Sequence, residues 1–199
     1  MLRLCAADGT NRLTRACVLA LTAAVEQMAC APKPLIITGN EHFFSAGAEL
    51  AEVTALTGPA AYEFGLMGQN LMNLVDSFPA PVCAAVRGYC MGGGLDLALA
   101  CDFRLAAPHA VFGHRGAALG LMTGWGGTQR LSRLIGKARA LEIFVAAEKV
   151  NARRALEFGL VQRIVEDPVA AGLQILNSTA SATETPVRVS SPLACNNSE

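Results

Sequence analysis

The chain has 199 residues, enough for one domain with a sizeable core, and its sixteen acidic and sixteen basic residues cancel. Apolar residues make up 52% and charged residues only 16%, with no basic stripe interleaved with aromatics, so neither a nucleic-acid nor another polyanionic partner is expected. No run of about twenty apolar residues exists, so no membrane partner is expected.

Taken in chain order, residues 2–6 are expected as a short edge strand. Arg12 and Arg15 precede the run ACVLALTAAV, which resembles a secretion signal at a glance. Thr22 and Glu26 interrupt that run, and Leu13, Cys17, Leu21, Val25 and Met28 recur at helical spacing, so an amphipathic helix is expected over 14–30. Pro32 and Pro34 stop it. A buried strand is expected over 35–38, and a second helix over 59–77, with Tyr62, Leu66, Leu71, Leu74 and Val75 on one face. Strands follow at 81–87, 103–106 and 110–113. Helices are expected at 128–135, 138–146 and 152–158, the last capped by Asn151 and stopped by Gly159. A final strand is placed at 160–165. Strands alternating with helices make this an α/β fold. From Asn177 the sequence turns Ser/Thr/Asn/Pro-rich without an apolar period, so 1–176 is expected as the core and 177–199 as a disordered tail.

The seven cysteines form no C-x-x-C pair and their number is odd. They are expected as buried free thiols in a reducing, cytoplasmic setting. His42, His109 and His114 do not pair with them at zinc spacing, so no metal is expected.

Two glycine-rich loops carry the chemistry. Gly92-Gly93-Gly94 joins a strand to a helix, an arrangement that presents free amides and the positive helix end. It matches neither the dinucleotide fingerprint nor the phosphate-binding loop. A tight packing turn would use the same glycines. The stretch FSAGAEL, Phe44 to Leu50, also follows a strand. Two such loops can each offer an amide to one oxygen, which is the geometry of an oxyanion hole.

FSAGAEL, then GYCMGGGLDLALACDFRLA, then FGHRGAALGLMTGWGGTQRLSRLIGKARALE, then ALEFGLV resemble, in order, the crotonase superfamily, the enoyl-CoA hydratase/isomerase family. The resemblance spans roughly residues 10 to 170. It implies a spiral of ββα units, assembly as a homotrimer or hexamer, and an acyl-CoA thioester substrate. Coenzyme A is then part of the substrate and no separate cofactor is implied. It further implies that the amides of Ala48 and Gly93 hold the thioester oxygen. Ala46, Ala48, Glu49, Leu50, Gly92, Gly93 and Gly116 then fall along the substrate.

Family hydratases use two glutamates. Asp96 stands at the first position, one methylene short, and Gly116 at the second. The pattern therefore departs from ordinary hydration, and decarboxylation or hydrolysis of a thioester remains open, as does a non-catalytic acyl-CoA binder. Gly116→Glu is expected from the sequence to raise hydration if the loop is otherwise in place. His114, two residues before Gly116, stands as a substitute acid or base, or as a packed neighbour of the site. Cys90 and Trp125 are read mainly as packing. Relative to the family, both ends are short, and the helices that cover the acyl pocket are expected to be missing.

Overall fold

The structure is a computed structural model that describes residues 1–182. In chain order it contains β1 (Leu2–Arg3), β2 (Arg12–Leu13), α1 (Arg15–Ala29), β3 (Leu35–Thr38), β4 (Phe43–Ser45) and β5 (Gly47–Ala48). There follow α2 (Leu50–Thr54), α3 (Gly58–Asp76), β6 (Val82–Val86), β7 (Tyr89–Met91), α4 (Gly93–Ala100), β8 (Phe103–Ala106) and β9 (Val111–Gly113). The chain closes with α5 (Gly127–Ile135), α6 (Lys137–Phe144), β10 (Lys149–Asn151), α7 (Ala152–Phe158), β11 (Arg163–Ile164) and α8 (Pro168–Ala182).

Apart from a two-stranded sheet of β2 and β5, the chain visits two sheets alternately. The first is parallel throughout, in the order β1-β3-β6-β8-β11. The second runs β10-β9-β7-β4, parallel except for the antiparallel β10. Each turn of the chain lays one strand in each sheet and then a helix: β3–β4–α3, β6–β7–α4, β8–β9–α5. This is the expected α/β spiral of ββα units.

Residues of β6 are buried without exception, and their alternation shows why. Val82, Ala84 and Val86 face the main core, whereas Cys83 and Ala85 join Ile36, Leu105 and Leu176 on the other side of the sheet. Leu176 comes from α8, which covers that outer face. Leu176 is the last buried residue described. Helix α8 carries the chain six residues into the expected tail, and the remainder, 183–199, lies outside the described residues.

Thr14 caps α1, its hydroxyl accepting the Cys17 amide at 3.1 Å. Asn151 caps α7 and Gly159 ends it in the left-handed region, as the sequence suggests. The strand placed at 160–165 narrows to two residues. The six described cysteines are unpaired, but only Cys83, Cys90 and Cys101 are buried; Cys5 and Cys30 are exposed and Cys17 is intermediate. Among the described residues no helix is long and apolar enough to cross a membrane.

Arg104 on β8 is only 3% exposed. Its guanidinium donates to the carbonyls of Leu160 and Cys101, each at 2.7 Å, and of Ala98 at 3.3 Å. It thereby satisfies carbonyls at the C-terminal end of α4. Arg104→Met is expected to remove the side-chain donor from the Leu160 and Cys101 carbonyls in the interior and to cost about 3 kcal/mol in a urea unfolding experiment. A loss well below 1 kcal/mol would show that the end of α4 is held by other contacts.

Candidate active site

The first glycine loop is held by its own hydroxyl. Ser45 donates from Oγ to the Asn11 carbonyl at 2.7 Å and accepts the Gly47 amide at 3.1 Å. Asn11 donates from its side chain to the carbonyls of Phe43 and Phe44, tying β4 to the N-terminal loop. Gly47 has φ +94° and Gly92 φ +52°, a region glycine enters without a Cβ penalty.

The second loop comes against the first. The point where a Cβ on Gly93 would stand lies 3.5 Å from the Ala48 nitrogen, and the same point on Gly47 lies 3.1 Å from the Gly93 nitrogen. A Cβ on Gly94 would collide with Ser45 at 2.6 Å. The glycines thus let α4 approach β4 and β5 at backbone distance. Gly93 is also the first residue of α4, where an amide has no intrahelical partner.

These loops open on a cavity of about 630 Å³. Ala46, Ala48, Leu50, Gly92, Gly93, Asp96, His114 and Gly116 all line it. Glu49 does not: its carboxylate accepts the Ala51 amide as the cap of α2 and pairs with Arg12 at 3.0 Å. The Arg12 hydrogen bond, more than any other cause, holds that carboxyl below its ordinary range. A larger cavity of about 790 Å³ lies behind the loop 123–126 and is lined by Arg104, Arg130, Arg133 and Asp102. The two glycine loops do not reach it, so the smaller cavity is the candidate site.

Asp96 is 1% exposed. Its carboxyl sits in the cavity wall. The Thr123 hydroxyl donates to Oδ2, while Oδ1 is buried without a partner. Oδ1 faces Gly127; a Cβ there would stand 1.8 Å from it. Burial raises the carboxyl to about 7, against smaller opposing effects of the Thr123 hydrogen bond and the Arg130 charge.

His114 is 6% exposed and packs on Phe144 with ring centroids 5.1 Å apart. Burial lowers it from its ordinary value, so it is neutral at pH 7. The space expected to admit a glutamate at position 116 is closed. A Cβ on Gly116 would meet the Leu121 carbonyl at 2.7 Å and the His114 ring at 3.1 Å. That carbonyl belongs to a turn in which the amides of Leu119 and Leu121 both donate to the Gly116 carbonyl. Gly116→Glu is therefore expected to cost about 2 kcal/mol of stability and not to raise hydration. A stable variant with faster hydration would overturn this.

Cys90 is fully buried, and burial pushes its thiol far above the ordinary value, which removes it as a nucleophile. Trp125 is both core and cavity wall: its indole abuts Gly93 and Gly68, and its ring nitrogen donates to the Phe64 carbonyl at 3.2 Å. Met72 is core, whereas Met122 lines the cavity. Sequence reasoning missed Thr123, Phe64 and Met91. Thr123 stands 27 positions from Asp96, and only the fold brings them together.

Comparison with known proteins agrees with this architecture. Crystalline enoyl-CoA hydratase from Bacillus anthracis superposes with a TM-score of 0.85 at 35% identity, covering 90% of this chain and 71% of that one. The chain is 44% identical over 133 residues to crotonyl-CoA hydratase of Syntrophomonas wolfei, covering 66% of this chain and 51% of the relative. It is 36% identical over 159 residues to short-chain-enoyl-CoA hydratase of Clostridium acetobutylicum, covering 78% and 61%. The chain thus spans about half to three-fifths of the length of these curated relatives. Its fold is that of the crotonase superfamily. The family model described as enoyl-CoA hydratase/isomerase matches residues 3–184, and the chain belongs to that family.

Proposed function

We propose that the chain acts on an acyl-CoA thioester, in the manner of an enoyl-CoA hydratase or isomerase, by stabilising an enolate-like oxyanion between the amides of Ala48 and Gly93. The approach of those two backbone segments at the wall of one cavity carries the proposal. Amides fixed in place before the charge develops need no reorganisation as it forms.

Hydration puts hydroxyl on one carbon of the double bond and a proton on its neighbour. Water must lose a proton and the α-carbon must gain one. Burial disfavours the charged form of both Asp96 and His114, which leaves His114 neutral and Asp96 about half protonated near pH 7. Neutral His114 is then a proton acceptor and protonated Asp96 a donor. The two would replace the pair of glutamates.

A second reading rests on the cavity lining, in which Asp96 is the sole carboxylate among the described residues. Decarboxylation forms the enolate directly, by loss of carbon dioxide, and needs only one proton donor afterwards. Thioester hydrolysis would use the same amides.

The test is mass spectrometry of enoyl-, malonyl-type and β-keto-CoA thioesters after incubation with folded protein. Gain of water supports the first reading. Loss of carbon dioxide or release of free CoA supports the second. Binding without change in any thioester would sink both and leave a non-catalytic acyl-CoA binder.

A further inference from the structure

The Thr123 hydroxyl has one proton and two neighbours that fix where it goes. The Trp125 amide donates to Thr123 Oγ at 3.2 Å. That occupies a lone pair and turns the hydroxyl proton toward Asp96 Oδ2. The loop carrying Thr123 is itself tied down. Gln69 donates to the Gly124 carbonyl at 2.7 Å, and the Trp125 indole donates to Phe64 at 3.2 Å. Behind them, Arg130 reaches the Trp125 carbonyl at 3.4 Å and the Asn73 side chain at 3.0 Å.

With the Thr123 proton directed at Oδ2, Oδ2 is the acceptor of that pair, and the carboxyl oxygen left to take up a proton is Oδ1, which is unpaired. Gly127 leaves Oδ1 its space, since any Cβ there would displace it.

We propose that Thr123 is a positioning residue that locks the Asp96 carboxyl in one orientation, so that the proton Asp96 exchanges resides on Oδ1. This rests on the reading of Asp96 as the acid of the site. The charged or titratable groups bearing on Asp96 from neighbouring elements are Arg130 of α5 and the Cys90 thiol of β7. Arg130 favours the carboxylate. The thiol stays protonated and uncharged near neutral pH, which leaves Thr123 as the hydrogen bond that can be removed without changing a formal charge.

The test follows the Asp96 side-chain carbon by NMR in the full chain labelled at aspartate, with Asp96→Asn to assign the signal. In Thr123→Val the titration midpoint is expected to rise by about one unit, because a hydrogen bond to the charged form is lost. Thr123→Ser is expected to restore it to within a few tenths of a unit. Thr123→Ala serves if the valine variant does not fold. An unmoved midpoint in a folded valine or alanine variant overturns the proposal, as does an equal rise in the serine variant. Should the midpoints behave as expected while the wild-type protein consumes no thioester, the functional reading fails and the positioning role stands.

Discussion

Asp96→Asn is expected to flatten the pH dependence of stability between pH 4 and pH 8 and to lower turnover by a factor of about 10² to 10⁴. The first effect follows from where the carboxyl sits. Its ordinary value is 3.8, and burial raises it to about 7 in the folded chain. Between those two values the folded protein holds a proton that the unfolded chain has released. Stability therefore falls as pH rises through that window and levels off above about pH 7. A difference of about three units corresponds to about 4 kcal/mol, an upper figure for one buried group. Asparagine does not titrate and keeps an oxygen for the Thr123 hydroxyl, so this component disappears from urea midpoints measured at pH 5 and pH 8. The loss of turnover follows because asparagine cannot deliver a proton. If wild type and variant lose stability with the same slope, the carboxyl is not the buried acid described.

Gly47→Ala is expected to separate the two glycine loops, with a loss of about 3 kcal/mol in stability and at least a hundredfold loss of turnover. Two penalties coincide. A φ of +94° is strained for any residue with a Cβ. That Cβ would also stand 2.7 Å from the Met91 carbonyl and 3.1 Å from the Gly93 nitrogen, both backbone atoms that cannot rotate away. Gly120→Ala separates the two causes: Gly120 has φ +68° with nothing within 4 Å of the added methyl. It is expected to lose only about 1 kcal/mol and no turnover. Equal losses in the two variants would mean that backbone strain, not convergence of the loops, explains the first. The hundredfold figure is the usual cost of losing one oxyanion donor.

Elements with a period or a cap were readable from residues alone. The apolar repeat of α1, the Asn151 and Gly159 ends of α7 and the apolar run of β3 are local signals, and the structure agrees within a residue or two. Strands β2, β5 and β10 are two or three residues long and form only because a partner strand passes beside them. Helix α8 was obscured by composition: its last turns are Ser- and Ala-rich, while the contact of Leu176 with Ile36 and Cys83 is tertiary. At the site, the glycine loops stood out because close backbone approach demands glycine. The cap that Glu49 gives α2 and its pairing with Arg12 are contacts its sequence neighbours do not announce. At Gly116 the Leu121 carbonyl stands 2.7 Å from where a Cβ would be, a closeness that no motif announces. Such contacts depend on atoms that are five residues away in sequence for Leu121 and 37 away for Arg12, yet adjacent in space.

The wedge formed by Trp125 makes the chain its own spectrometer. It is the sole tryptophan in the sequence and is 4% exposed. Its ring lies against Gly93 on one side and its nitrogen is tied to Phe64 on the other. All indole emission therefore originates within a few ångströms of the proposed oxyanion amide, with no second fluorophore of its kind to dilute it. A ligand entering the cavity changes the surroundings of that one ring, and loosening of α3 from the loop 123–126 exposes it to water. Occupancy and local opening at the site can thus be followed in unlabelled protein, in real time, before any product is known.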